Sequence, residues 1–501
     1  MKKQSIITAA ALTAALISGM AAPAFAAEAD GASKDVTPRI YTGFLLEHER
    51  DEETNRYLAE SIIPQAVLSE ETEAAYPELA KAFSEMNEEQ SKISKETYQS
   101  ILESAKDRLE EDPDYDTTFT DTGTYYVVRS DSNIVSILNL TTGYTGGAHG
   151  YEVYSAVNFD TANGQKLALS DIVKDEEAFR TLVKEQVYSE YPEVEKDLTE
   201  QYFEETPLND MVWTAGYEGV TCYFNEYTLG AYAIGAQTVL IPYEGNDSLF
   251  ADDIAQVPEN YGMEFPLNHP VKVGGREIAV YGTRSEYDDY RAVTIIIDGE
   301  KTEFVRDINT FSIHPTYFKV GGEEYIYLAY RIDDDYRSFD IYHLADTPER
   351  YGLVDLGRAS MYMEEKHLST TLAMTDPEDL LLSTDCNLLG TTGIQRAYRI
   401  GSDGKPEAKE PWFEILGERF LTTKMELKCH EADAEGNGIG EMTIPAGTQL
   451  RMLRTDGESI VDLELQDGGR IARVEVNKES WPQTIDGIDI EEIFDGIMFV
   501  G

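Results

Sequence analysis

The chain has 501 residues, with 41 lysines and arginines against 94 aspartates and glutamates, and a formal net charge of −53. Its 42% hydrophobic content, 31 tyrosines and 18 phenylalanines are too apolar and aromatic for a wholly disordered acidic polymer; about two to four compact units are expected. The acidity argues against nucleic-acid binding, which needs a concentrated basic face, and disfavours an anionic membrane surface.

Lys2 and Lys3, an apolar stretch from Ile6 to Ala22, Pro23 and then Ala24-Phe25-Ala26 read as a signal peptide cleaved after residue 26. No later run approaches the ~20 apolar residues that span a bilayer. The expectation is an exported protein, secreted or held at the cell wall. Cys222, Cys386 and Cys429 are odd in number and widely spaced. Three buried thiols are the preferred reading, with one disulfide plus a free thiol as the alternative.

Residues 27–40 are small and polar and read as a disordered lead. Tyr76, Leu79, Ala80, Phe83 and Met86 then fall on one helical face, as do Tyr98, Ile101, Leu102, Ala105 and Leu109 in a second run. Residues 27–119 are therefore taken as a helical leader domain. From Tyr125 the texture becomes β-rich, through Ile134–Leu140 and Tyr151–Phe159, with Asn163-Gly164 as a tight turn. An amphipathic helix follows with Phe179, Leu182, Val183 and Val187 inward, then strands around Val220–Phe224 and Gln237–Tyr243. The expected fold over 120–256 is α+β, an antiparallel sheet packed by helices.

Pro258, Pro266 and Pro270 mark residues 257–272 as a linker. An all-β domain is expected over 273–410. It has one hairpin turning at Asp298-Gly299 and another, Tyr325–Ile332 to Phe339–Leu344, turning at Asp333–Asp335. Five short strands over 415–501 suit a small SH3-like barrel.

Few motifs carry chemistry. Among 94 acids, close carboxylate pairs arise by chance. The seven histidines (His48, His149, His269, His314, His343, His367 and His430) lack zinc-site spacing, and neither a GxSxG turn nor a nucleotide-binding glycine loop occurs. No metal or cofactor is expected. Asp433, Glu435, Asn437 and Gly438 resemble the start of a calcium loop, but Ile444 stands where its bidentate glutamate belongs, so a hairpin turn is expected.

One cluster stands apart: Thr145-Gly146-Gly147-Ala148-His149-Gly150. Three glycines around a histidine permit positive φ and close backbone approach. The run is either a binding loop with His149 at its tip or a tight turn with a satisfied histidine.

That cluster resembles a family motif. Together with Asn158-Phe159-Asp160, Asn163-Gly164, Leu167, Leu169–Ile172, Tyr223-Phe224-Asn225, Tyr227, Ala231-Tyr232, Gly235 and Ile241-Pro242-Tyr243, it is similar to the extracellular domain of RsiV-type and PdaC-type bacterial proteins. The resemblance covers about residues 120–245. It implies an α+β envelope domain that binds something at the cell surface: lysozyme for the RsiV type, while the PdaC type precedes a peptidoglycan deacetylase. The deacetylase metal motif is absent here, and a cleavable signal replaces the internal membrane helix of the anti-sigma factors. The expected function is thus non-enzymatic binding of peptidoglycan or of a basic wall-active protein such as lysozyme, with Gly146, Gly147, His149, Gly150, Tyr227 and Tyr232 as candidate binding residues. The alternative is a cell-wall polymer hydrolase using acids of the α+β domain.

Overall fold

Two long strands come first, β1 (Ile40–Arg50) and β2 (Tyr57–Leu68), paired antiparallel from Ile40↔Leu68 to Arg50↔Tyr57. The structure is a computed structural model that describes residues 36–499, apart from 53, 286–288, 311, 332–336, 346, 358–360, 364–367 and 467–468. The signal-peptide reading over 1–26, the Asp333–Asp335 turn and His367 lie outside the described residues. No described helix is long and apolar enough to cross a membrane.

The strands β1 and β2 correct the reading of 27–119 as a helical leader. A short helix α1 (Glu70–Ala75), capped by Ser69 accepting from the Thr72 N–H, leads to α2 (Pro77–Glu111). Helix α2 is one 35-residue helix where two runs were read: Pro77 opens it, and no glycine or proline interrupts it. Its buried face runs from Leu79 and Phe83 through Ile93 to Tyr98, Ile101, Leu102 and Ala105, so both apolar runs lie on one continuous stripe.

Next come β3 (Phe119–Ser130), β4 (Ile134–Tyr144) and β5 (Tyr151–Asp160), the last two joined by the glycine–histidine run. Because α2 carries the chain back across the sheet, β3 pairs parallel to β2, Ala59 opposite Phe119. This sheet is therefore mixed, not purely antiparallel. Helices α3 (Leu169–Ile172), α4 (Glu176–Glu190) and α5 (Lys196–Glu205) precede a three-stranded sheet of β6 (Val212–Ala215), β7 (Gly219–Phe224) and β8 (Gln237–Pro242). Phe179, Val183 and Val187 of α4 pack with Trp213, Cys222 and Val239 of that sheet.

The proline-bearing stretch 257–272 is not a linker. Tyr261–Glu264 forms β9, with Tyr261, Met263 and Phe265 all buried. Alternating aromatic and apolar side chains outweigh the flanking prolines there, because burial rewards the strand and the prolines fall outside it. One hydrophobic cluster runs from Tyr126, Val128, Leu138 and Tyr154 through Tyr217 and Met263 to Ile295, Ile326 and Tyr342. The regions before and after residue 256 thus share a core.

A β-rich region follows the α/β N-terminal region. Strands β10 (Val271–Val273), β11 (Arg276–Arg284), β12 (Tyr290–Ile297) and β13 (Glu300–Thr310) form one sheet. Its β12–β13 turn is at Asp298 (φ 49) and Gly299 (φ 85), both left-handed as a two-residue hairpin requires. Strands β14 (Ser312–Val320), β15 (Glu323–Arg331), β16 (Arg337–His343) and β17 (Glu349–Gly357) form a second sheet with β9. Then β18 (Met361–Met363) and β19 (Leu368–Leu372) return to the first sheet, where β19 pairs with β1.

Beyond them, β20 (Leu380–Cys386), β21 (Thr392–Ile400), β22 (Pro406–Ala408), β23 (Phe413–Ile415), β24 (Phe420–Thr423), β25 (Leu427–Ala432), β26 (Gly438–Ile444), β27 (Gln449–Thr455), β28 (Ile460–Leu465) and β29 (Ile471–Glu475) share one sheet. The five strands read over 415–501 are present, but the path β20-β21-β23-β27-β28-β29-β25-β26 carries the sheet across the expected boundary at 410–415. Residues 415–501 therefore do not stand apart as their own barrel. Asp433–Asn437 closes the β25–β26 hairpin, with the Asn437 N–H donating to Asp433 Oδ1 at 2.7 Å. All three cysteines are free thiols; Cys222 and Cys386 are buried and Cys429 is half-buried.

Candidate binding surface

Strand β5 ends its sheet, and what caps it builds the site. The side-chain amide of Asn225 acts as a short substitute for a neighbouring strand. The Tyr154 N–H donates to Asn225 Oδ1 at 2.7 Å, and Asn225 Nδ2 donates to the Tyr154 carbonyl at 3.1 Å. This double bond pair pins the loop after β7 against β5, next to the turn between β4 and β5. A three-residue 3₁₀ turn, Tyr232–Ile234, follows in the same loop.

Within the β4–β5 turn, Gly146 has φ 77, and a Cβ there would lie 2.6 Å from the Phe119 ring. A Cβ on Gly150 would lie 2.6 Å from the Gly143 carbonyl oxygen, so two of the three glycines are required by close approach. A Cβ on Gly147 would meet only the His149 carbonyl oxygen at 3.6 Å, an ordinary van der Waals contact; the Gly147 carbonyl accepts from the Tyr144 hydroxyl at 3.0 Å.

His149 is exposed, and its ring stacks on Tyr232 with centroids 3.6 Å apart and planes 20° from parallel. Its Nδ1 lies 2.7 Å from the Gly150 carbonyl, which can only accept, so Nδ1 carries the proton in the neutral ring. Nε2 then accepts from the Tyr227 hydroxyl at 3.4 Å. Tyr227 stands at φ 66 with 55% of its surface exposed, and its ring centroid is 5.7 Å from that of Tyr232. Left-handed backbone at a bulky residue is uncommon and costs energy. All six candidate residues thus come from two loops that meet: Gly146, Gly147, His149 and Gly150 from one, Tyr227 and Tyr232 from the other.

Three further residues complete the surface, and sequence reasoning missed them. The Glu152 N–H donates to Glu226 Oε2 at 3.4 Å, and Glu152 Oε2 lies 3.2 Å from His269 Nε2. His269 Nδ1 is in turn 2.8 Å from the Leu267 carbonyl. The hydrogen bond from His269 holds the Glu152 carboxyl below its usual range. Burial, and then the neighbouring Glu152 charge, pushes Glu226 up. Burial would lower His269, but Glu152 outweighs it and holds the imidazole above its ordinary value. Burial and the charges of Glu226 and Glu152 push the Tyr232 hydroxyl up. Glu226 was legible in principle, standing between Asn225 and Tyr227; His269 was not, because the proline-bearing stretch around it was read as a linker.

Residues 161–244 match the model of a family described as a protein of unknown function (DUF3298). No curated protein matches the chain. The crystal structure of a DUF3298 member from Bacteroides fragilis is 17% identical over 43% of this chain and 94% of that one, with a TM-score of 0.32. A DUF3298 protein from Pseudomonas aeruginosa is 17% identical over 44% of this chain and 98% of its own, with a TM-score of 0.31. Tyr227 and Tyr232 fall inside the matched segment, whereas His149 and Glu152 precede it. The chain carries a DUF3298 domain at residues 161–244.

Proposed function

We propose that this is an exported, non-enzymatic envelope-binding protein whose ligand is peptidoglycan or a basic wall-active protein such as lysozyme. The observation that carries this reading is the stack of exposed His149 on half-buried Tyr232, with exposed Tyr227 beside it. Exposed aromatic faces held by an ordered backbone lose little entropy when a ligand covers them. Glu152 and Glu226 add negative charge at the same place, and a net charge of −53 would speed encounter with a basic protein. The RsiV/PdaC resemblance points the same way. The test is a pull-down of the mature chain with purified wall and, separately, with lysozyme. His149→Ala and Tyr232→Ala should each weaken capture about tenfold without shifting the melt; undiminished capture in both would overturn the proposal.

A second reading, hydrolysis of a wall polymer, rests on Glu226 and Glu152 being displaced in opposite directions, as a proton donor and a carboxylate base would be. In it Glu226 protonates the leaving oxygen while Glu152 takes a proton from the attacking water. Release of soluble fragments from wall that stops in Glu226→Gln would favour it over binding alone.

A further inference from the structure

A second aromatic surface, sharing no residue with the one around His149, lies near the C-terminal end of the chain. Trp481 is 75% exposed, more than any other large hydrophobic side chain among the described residues. The other two tryptophans are covered: Trp213 is buried in the sheet of β6–β8, and the guanidinium groups of Arg454 and Arg473 lie 5.4 and 4.5 Å from the Trp412 ring. Beside Trp481 stand Phe499, edge-on with ring centroids 5.0 Å apart, and the exposed Met498.

The loops that carry this patch are tied down. Asn477 and Thr484 exchange backbone hydrogen bonds at 2.8 and 3.2 Å across the base of the Trp481 loop. Within it, the Glu479 N–H donates to Asn477 Oδ1 at 3.1 Å and the Ser480 hydroxyl to the Pro482 carbonyl at 3.0 Å. The buried Gln483 joins it to the neighbouring loop, its Oε1 accepting from the Leu389 N–H at 3.3 Å and its Nε2 donating to the Asn387 carbonyl. The Thr391 N–H donates to the Met498 carbonyl at 2.8 Å, which fixes the segment bearing Phe499. An indole held this way in water has little freedom left to lose when a ligand covers it.

Size and charge select the ligand. A stable protein partner, or a second copy of this chain, needs about 800 Å² from each side, which three side chains do not supply. A net charge of −53 repels an anionic lipid surface. A cation could sit over an indole, but Lys478 and Glu479, both exposed on the same loop, cancel and draw neither sign of charge. A neutral ring with one apolar face fits: the C–H groups on the flat side of a pyranose carry partial positive charge and meet the negative face of the indole. Trp481 stands on an open surface, so the sugar best suited to it belongs to an extended chain whose equatorial linkages keep each ring face flat and accessible. We propose that Trp481, flanked by Phe499 and Met498, is a stacking platform for one pyranose ring of an uncharged β-1,4-linked glycan.

Titration of residues 27–501 with triacetylchitotriose and cellotriose tests this, with maltotriose and phosphatidylcholine vesicles as controls. Fluorescence reports on Trp481 directly, because it is the tryptophan most open to acrylamide. At least one β-linked trisaccharide should move the emission to shorter wavelength and reduce acrylamide quenching, with a Kd of about 1 mM or tighter. In calorimetry Trp481→Ala should weaken that binding about tenfold or more with the melting temperature unchanged, and Trp481→Tyr should recover most of it. The readout is Trp481 itself, so it succeeds or fails whatever the His149 surface captures. Unchanged fluorescence and no heat up to about 10 mM trisaccharide would overturn the proposal. So would maltotriose or the vesicles acting as strongly, Trp481→Ala binding unchanged, or a dimer in sedimentation that Trp481→Ala dissociates.

Discussion

The carboxylate of Glu264, on β9, accepts a hydrogen bond from the backbone N–H of Val127, on β3, at 2.9 Å. Both residues are buried, at 3% and 0% exposure, so the bond crosses a dry interface between the α/β region and the β-rich region. Tyr126, next along β3, stacks on His314 of β14 at 5.3 Å on the same interface.

This relationship sets the outcome of cutting the chain. A fragment ending at residue 256 leaves Tyr126, Val128, Leu138, Tyr154 and Tyr217 without the cover of Met263, Phe265 and Tyr317. Losing several buried aromatic contacts, at roughly 1.5–3 kcal/mol for each fully buried side chain, exceeds the margin of an ordinary domain. Residues 27–256 alone should show no cooperative thermal melt in calorimetry, whereas residues 27–501 should. A fragment melting within a few degrees of the whole chain would contradict this.

Arg129 should be the most sensitive single position in the α/β region. It is fully buried, and its Nε donates to Asp131 at 2.6 Å. Its Nη1 and Nη2 reach the carbonyls of Gly216, Ile254 and Gln256 at 3.3, 2.8 and 3.2 Å. Replacing it with Ala strands Asp131 and three carbonyls and should cost about 3–5 kcal/mol in urea denaturation. Arg129→Lys should recover less than half, because an ammonium cannot spread its donors over that fork. A loss below about 1 kcal/mol for Arg129→Ala would be inconsistent with this network.

The glycines of the β4–β5 turn should separate. Gly146→Val meets both a left-handed φ and the Phe119 ring, so a loss of about 2 kcal/mol or more is expected. Gly147→Ala meets only an ordinary contact with the His149 carbonyl oxygen, at 3.6 Å, and should stay within about 0.5 kcal/mol. Thermal melts of the two variants decide; equal losses would mean the turn is held some other way.

The His269–Glu152 contact predicts a pH dependence with a definite sign. His269 is raised in the folded chain, so its contribution is complete below the unfolded histidine value of about 6.5 and is lost as pH rises through the raised folded value. Glu152 is lowered, so its contribution is present above about 4.3 and is lost as pH falls through its lowered value. The stability gap between the natural chain and His269→Gln should therefore be widest between about pH 4.3 and 6.5 and narrow above it. It should stay at or below about 1 kcal/mol, since Glu152 is partly solvated. A gap that widens steadily from pH 6 to 8 would reverse the assigned direction.

Periodicity made most individual elements legible. The apolar positions of α2 and α4, the alternation in β3–β5 and the Asp298-Gly299 turn each follow from local chemistry, and each stands where it was read. What failed were the joins. Nothing local told a strand bounded by prolines at 257–272 from a linker, because what rewards Tyr261 and Met263 is cover from Tyr217, from β3 and from β14, all more than forty residues away along the chain. The long β1–β2 hairpin was missed for a related reason: β1 turns Phe44 and Leu46 to solvent, at 42% and 47% exposure, so its alternation carries little hydrophobic contrast.

The same division holds at the candidate surface. The sequence by itself determined the acidity, the glycines that admit a tight turn and the family-like motif containing His149, Tyr227 and Tyr232. Tertiary structure alone decided that His149 stacks on Tyr232, that Asn225 ties their loops to the edge of β5, and that His269 arrives from outside the motif to hold Glu152. Local propensity depends on neighbours within a few residues, whereas these contacts join positions 71 to 117 residues apart. Their geometry exists only once the core that positions both loops has closed.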